Sequence, residues 1–311
     1  MLNRQAAGTN RPQNIHLIGT LLVIILNLAA CTPSQASATA TRASATLAAT
    51  KTLTLGQTAS PSPTAEVNSL ATTTKKPDCS TAAGTLNEVE LETTFMFASA
   101  KFLVYLPPCY QQDVSREYPL LILFHGIYND NEQWLRIGAV EAADRLIISS
   151  VVDPFIIVMP YDPNPRGPSG TSFDEVFLQD MLPYIDATYR VASGANKRAV
   201  GGVSRGAGWA IHFGFMNPVL FGNIGTHSPI IFNEDYLMLN EWLREIPAGE
   251  MPRIRLDIGD RDPNREAFEK LEMLFTDQSI AFEAKEFPGY HNESYWRSQV
   301  ESYIRWYTAG W

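Results

Sequence analysis

From about residue 77 onward this chain predicts an α/β fold, a mostly parallel sheet with helices on both faces. Short apolar runs such as residues 120–124 and 155–159 read as strands buried on both sides, the pattern of parallel sheets. Segments with apolar residues at helical spacing separate these runs, and turns rich in Gly, Asp and Asn follow the strands.

Alternation predicts two leading antiparallel strands, at residues 88–97 and 101–106, before the buried strand 120–124. A helix is expected over 140–149, a strand over 155–159 and a helix over 174–189. Strand 198–203 and helix 207–215 come next, then strands at 222–226 and 253–258. Helix 265–275, a last strand at 282–287 and a closing helix at 293–307 complete the order. Residues 229–252 contain Trp242 and several leucines but no strand pattern, and are expected to form a lid or pocket wall. The chain shows no internal repeat.

One strand-to-helix corner carries chemistry. Between strand 198–203 and the helix after it stands Gly202-Val203-Ser204-Arg205-Gly206. Glycines two positions before and after the serine permit the tight backbone that pushes its hydroxyl outward, and the helix turns its first amides toward the same point. This is the pattern of a nucleophile elbow, although Gly-x-Ser-x-Gly alone also occurs as an ordinary turn. Gly259-Asp260-Arg261-Asp262 ends a later strand, and Pro288-Gly289-Tyr290-His291 ends the last one. The chain order Ser, acid, His is that of α/β-hydrolases, in which such strand ends meet at one edge of the sheet.

Ser204 is a weak nucleophile unaided, so His291 is expected to take its proton during attack on an ester carbonyl and return it to the leaving alcohol. Asp262 is expected to fix the tautomer of that ring. Asp260 is its rival, while Asp257, in mid-strand, is expected to face the sheet or solvent. Backbone amides of Ile127 and Arg205 are the expected oxyanion donors, each contributing roughly 3 kcal/mol. His227, after another strand, is an alternative base but precedes the acid in the chain. His212, on the elbow helix, reads as a packed or capped residue. Trp134, close behind the oxyanion loop, is a candidate wall of the acyl or alcohol pocket, with a core position as the alternative.

Val104-Tyr105-Leu106-Pro107-Pro108, His125-Gly126, the Gly202–Gly206 elbow, Gly259–Asp262 and Pro288-Gly289-Tyr290-His291 with Trp296 together resemble an esterase family. That family is similar to esterase D, the feruloyl esterase domains of plant-wall degrading enzymes, the enterochelin esterases and the mycolyltransferases of the antigen 85 type. The resemblance spans about residues 85–308 and implies an α/β-hydrolase with Ser204, Asp262 and His291 as its catalytic set. It departs at Arg205, where many relatives carry methionine or a small amide. Pairing with a nearby carboxylate is the preferred account of Arg205; recognition of an acidic substrate group is the other.

Arg4 and Arg11 precede an apolar run at 15–28 that ends in Leu28-Ala29-Ala30-Cys31. This reads as a secretory signal over 1–30 and resembles a bacterial lipobox with Cys31 as the lipidated residue; a plain signal peptide or an uncleaved anchor are the alternatives. Residues 31–76, rich in Thr, Ala, Ser and Pro and without aromatic residues, are expected to be a disordered tether to a catalytic domain at 77–311. With Cys31 lipidated, Cys79 and Cys109 remain as an expected disulfide in an oxidising compartment. The protein is thus expected to be exported and anchored to the outer face of the bacterial cell membrane. No metal site or cofactor is expected, because the cysteine and histidine spacing lacks ligand motifs.

The net charge is −9, and loss of Arg4 and Arg11 with the signal would make the mature form more acidic still. Nucleic acid and anionic lipid headgroups are poor partners for such a surface. These readings converge on a serine carboxylesterase acting on small-molecule or polysaccharide-linked esters, acetyl or feruloyl groups among them. An acyltransferase on the same scaffold and a non-catalytic surface-binding lipoprotein are the competing classes.

Overall fold

The computed structural model describes residues 83–311. Cys31, the signal, the tether and Cys79 therefore lie outside the described residues. Eight strands form one sheet: β1 (Thr85–Leu91), β2 (Ala100–Leu106), β3 (Leu120–Phe124), β4 (Ile156–Pro160), β5 (Arg198–Val203), β6 (Asn223–His227), β7 (Arg253–Gly259) and β8 (Glu283–Phe287). Their order is β1-β2-β4-β3-β5-β6-β7-β8. β1 and β2 pair antiparallel, as do β2 and β4, and every later pairing is parallel. The first strand is shorter than expected and shifted, ending at Leu91, so residues 92–97 of the predicted strand lie outside it. Cys109 is disulfide-bonded.

Alternation along the strands divides the core into two faces. Phe102, Val104, Ile122, Val200, Ile224 and Leu256 belong to one apolar cluster, with Trp209 and Phe213 of α5 (Arg205–Met216) and Phe268 of α7 (Arg265–Asp277). Leu103, Tyr105, Leu121, Ile157 and Val203 belong to the other, with Leu146 of α2 (Ala139–Ile148) and Ile304 of α8 (Glu293–Thr308). Asn292 caps α8 by accepting from the Tyr295 amide at 3.1 Å, a contribution of about 1 kcal/mol. Upstream, α1 (Gln133–Arg136) follows the β3 loop. The long helix expected after β4 is present but broken in register: α3 (Phe173–Glu175) runs through a π-helical turn, Val176–Met181, into α4 (Leu182–Thr188). Among the described residues no helix is long and apolar enough to cross a membrane.

The segment without a strand pattern folds as α6 (Asn233–Glu245), burying Leu239 and Leu243. It is fastened to the elbow helix by charge. His212 of α5 lies between Asp235 of α6 and Asp174 of α3, each carboxylate 2.9 Å from a ring nitrogen. Burial would lower the pKa of this ring, but the two carboxylates outweigh it and raise the value to about 9. The imidazolium then donates from both nitrogens, whereas a neutral ring leaves one carboxylate facing a lone pair. Because the folded value lies above the unfolded one, this stabilisation is complete below pH 6.5 and is lost as pH rises through 9. Its upper limit is about 3 kcal/mol, reduced by Asp235, whose own pKa burial pushes up despite His212. His212→Gln should therefore melt well below the parent at pH 6, with the gap narrowing by pH 10. A gap that stays constant across that range, followed by circular dichroism, would exclude the ionic bracket.

Candidate active site

The elbow is strained where the sequence allows it. Ser204 has φ 57° and ψ −119°, a region that side chains other than glycine enter at a cost of about 1–3 kcal/mol. The conformation is held by the Ser204 amide donating to His227 O at 2.9 Å and by the first turn of α5, where the Ala207 amide donates to Ser204 O at 3.0 Å. Glycine is required on both sides for space. A Cβ on Gly202 would stand 2.2 Å from the Gly206 backbone, and one on Gly206 would stand 2.2 Å from Phe124 O.

Loops from the same end of β7 and β8 supply the partners. His291 Nε2 lies 2.9 Å from Ser204 Oγ, and His291 Nδ1 lies 2.9 and 3.0 Å from the two Asp262 oxygens. The geometry fits an Nδ1–H tautomer, with Nε2 free to accept the serine proton. Asp262 is sealed from solvent, while the His291 side chain stays a quarter exposed. Burial alone would raise the Asp262 carboxyl. Donation by His291, by the Asn264 amide at 2.8 Å and by the Ser228 hydroxyl together hold it below the ordinary carboxylate value. Trp296 meets the His291 ring edge-on at 5.2 Å and donates to Ser228 Oγ at 3.0 Å.

The competing assignments separate cleanly. Asp260 faces solvent and accepts the Gly289 amide at 2.8 Å, so it shapes the base loop without reaching the ring. Asp257 faces neither solvent nor an apolar layer: fully buried under α8, it accepts the hydroxyls of Tyr295 and Tyr303 at 2.9 and 2.7 Å. His227 donates to it, accepts the Tyr307 hydroxyl at 3.0 Å and stacks on Tyr303. Burial lowers the pKa of His227 and keeps it neutral, with both nitrogens engaged away from Ser204.

Arg205 directly follows Ser204 at the first position of α5, and Ile127 lies in the loop after β3, next to Gly126, where an added Cβ would stand 3.6 Å from Ser204 Cβ. Among the described residues neither backbone amide donates to another backbone group outside the regular helices and strands. The Arg205 side chain is buried against Asp162. Trp134 corrects the sequence expectation. It is fully buried and its indole donates to Phe124 O at 2.9 Å, supporting the end of β3 from within the core instead of lining a pocket. Ile230, Ile231, Asn233 and Tyr236, from the segment expected to form a wall, line a cleft of about 310 Å³ with Pro263 and Asn264 of the acid turn.

Sequence reasoning missed Ser228, Gln133 and Asp162. Gln133 accepts the Gly126 amide at 2.7 Å and so ties the loop after β3 to α1. Only Ser228 had a usable signal, its place directly after a predicted strand.

A sequence profile described as "Putative esterase" matches residues 94–307. An endo-1,4-beta-xylanase/feruloyl esterase of Xylanibacter ruminicola is 29% identical over 136 residues, which is 40% of this chain and 19% of that protein. The chain thus spans about a fifth of that relative's length. A ferulic acid esterase of known structure superposes with a TM-score of 0.66 at 21% identity, covering 73% of this chain and 99% of that one. The S-formylglutathione hydrolase of Staphylococcus aureus gives 0.62 at 14% identity, covering 73% and 100%. A ferulic acid esterase from Anaeromyces mucronatus, in complex with ferulic acid, gives 0.60 at 18%, covering 72% and 90%. These superpositions establish a shared α/β-hydrolase fold.

Proposed function

This chain belongs to the "Putative esterase" family, and from that premise we propose that it is a serine hydrolase acting on carboxylic esters through an acyl-enzyme on Ser204. The observation that carries the reading is the continuous chain of contacts from Asp262 through His291 to the Ser204 hydroxyl, each at hydrogen-bond distance. His291 takes the serine proton as Oγ attacks the carbonyl carbon, and Asp262 stabilises the imidazolium that forms. Amides of Ile127 and Arg205 hold the oxyanion. His291 then gives the proton to the leaving alcohol, and a water attacks the acyl-serine by the same path in reverse.

The feruloyl esterase relatives favour an aryl acyl group, and polysaccharide-linked feruloyl or acetyl esters are the proposed substrates. Incubation with a feruloyl ester, acid quenching and peptide mass spectrometry should find the acyl mass on the peptide containing Ser204. Turnover with the acyl group found only on another residue would refute the covalent step.

The reading includes export and anchoring outside the cytoplasm through a lipidated Cys31, carried by the 31–76 tether. Cys31→Ser should move the protein from the membrane to the soluble fraction. Retention in the membrane pellet after that change would disprove lipid anchoring.

A further inference from the structure

We propose that Asp162 is a positioning residue that sets both oxyanion donors at once, an inference that rests on the Ser204 esterase reading. Asp162 lies in the loop after β4, is 5% exposed, and neither touches Ser204 nor belongs to the elbow.

Its backbone acts on the first donor. The Asp162 amide donates to His125 Nε2 at 3.0 Å, which leaves the ring hydrogen on Nδ1, and Nδ1 donates to Gly126 O at 2.8 Å. Gly126 C=O and Ile127 N–H belong to one planar trans peptide and point in opposite directions. Holding the carbonyl toward His125 therefore aims the Ile127 amide away from it. Burial lowers the His125 pKa, and the neutral ring satisfies both contacts. A protonated ring would present a hydrogen to the Asp162 amide and break the first of them.

The carboxylate acts on the second donor. Asp162 Oδ2 accepts Arg205 Nη2 at 2.5 Å and the Trp209 indole at 3.0 Å, while Oδ1 accepts the Asn164 amide at 3.0 Å. Arg205 Nη2 also reaches Arg166 O at 2.6 Å. The guanidinium is thus tied twice to the loop after β4, and its own backbone amide is the donor at the head of α5. The loop after β3, the loop after β4 and the head of α5 are thus joined through a single side chain and its amide. The amide that holds His125 belongs to the same residue whose carboxylate is tied to Arg205 and Trp209, so the side chain fixes the position from which that amide donates.

The test pairs Asp162→Leu with Arg205→Met, so that no unpartnered charge is left in the core, and adds Asp162→Asn as a second variant. In whichever variant melts cooperatively, kcat on p-nitrophenyl acetate should fall at least about tenfold with KM changed less than about threefold, because the oxyanion exists only beyond the ground state. Affinity for a trifluoromethyl ketone, which forms a bound oxyanion, should fall in parallel with kcat/KM. The ¹⁵N shifts of His125 should move from a pure Nδ1–H tautomer to a mixture. A lowered melting temperature with kcat and the His125 shifts unchanged would reduce Asp162 to a structural counter-ion and overturn the proposal. Activity that survives Ser204→Ala would instead remove the esterase reading beneath it, so the two failures are distinguishable.

Discussion

Replacing Ser204 by alanine is expected to lower kcat/KM on p-nitrophenyl acetate by roughly 10,000- to 1,000,000-fold, the loss seen when a hydrolase nucleophile is deleted. The substitution removes one oxygen and little else. Alanine occupies the φ 57° backbone with the same Cβ, so the turn, the first amides of α5 and the His291–Asp262 pair stay in place. What remains is the weak catalysis an oxyanion hole gives to direct attack by water. KM should therefore move little while kcat collapses, and labelling by a fluorophosphonate probe should vanish. Activity within tenfold of the parent would place the nucleophile elsewhere.

Changing Asp262 to asparagine should cost roughly 10,000-fold in kcat with the fold intact. Asparagine presents an NH₂ group to His291 Nδ1, where the carboxylate had accepted from it. The ring then keeps its hydrogen on Nε2, pointing at the Ser204 hydroxyl it should accept from. The other contacts of Asp262, from the Asn264 amide and the Ser228 hydroxyl, can still be made through the amide oxygen. Asp260→Asn, by contrast, should stay within a few-fold of the parent, because that carboxylate contacts the Gly289 amide and Arg261 and not the ring. If the two variants exchanged phenotypes, the acid assignment would be reversed. Since the folded Asp262 value is depressed below 3.8, its ionised form is present at any pH above that and is lost only as pH falls further. Loss of wild-type activity between pH 5 and 7 must therefore come from another group.

Local signals made much of this legible. The strand runs, the glycines flanking Ser204 and the turns after β7 and β8 are all written in short stretches, and order along the chain was enough to nominate three residues that the fold brings within 3.0 Å contacts. Contacts between loops were not legible. Asp162 and Arg205 are 43 positions apart, and no periodicity links a carboxylate after one strand to a guanidinium after another. Trp134 takes the core position and not the pocket wall for the same reason: its nearness in sequence to the loop after β3 says nothing about which side of β3 its ring occupies. His212 reads as an ordinary packed histidine until the fold delivers Asp174 and Asp235 to its two nitrogens. Asp257 alternated correctly out of the apolar face of β7, but its burial depends on where α8 lies.

Among the described residues the sheet has two open margins, and they are dressed alike. β1 carries Glu88 and Glu90 and is mostly exposed, and β8 carries Glu283, Lys285 and Glu286. Unpaired strand rims ordinarily invite a second molecule to add its own strand, the first step toward ribbons and fibrils. Charged side chains along both rims make that docking costly, so neighbouring copies can crowd together without zippering into one continuous sheet.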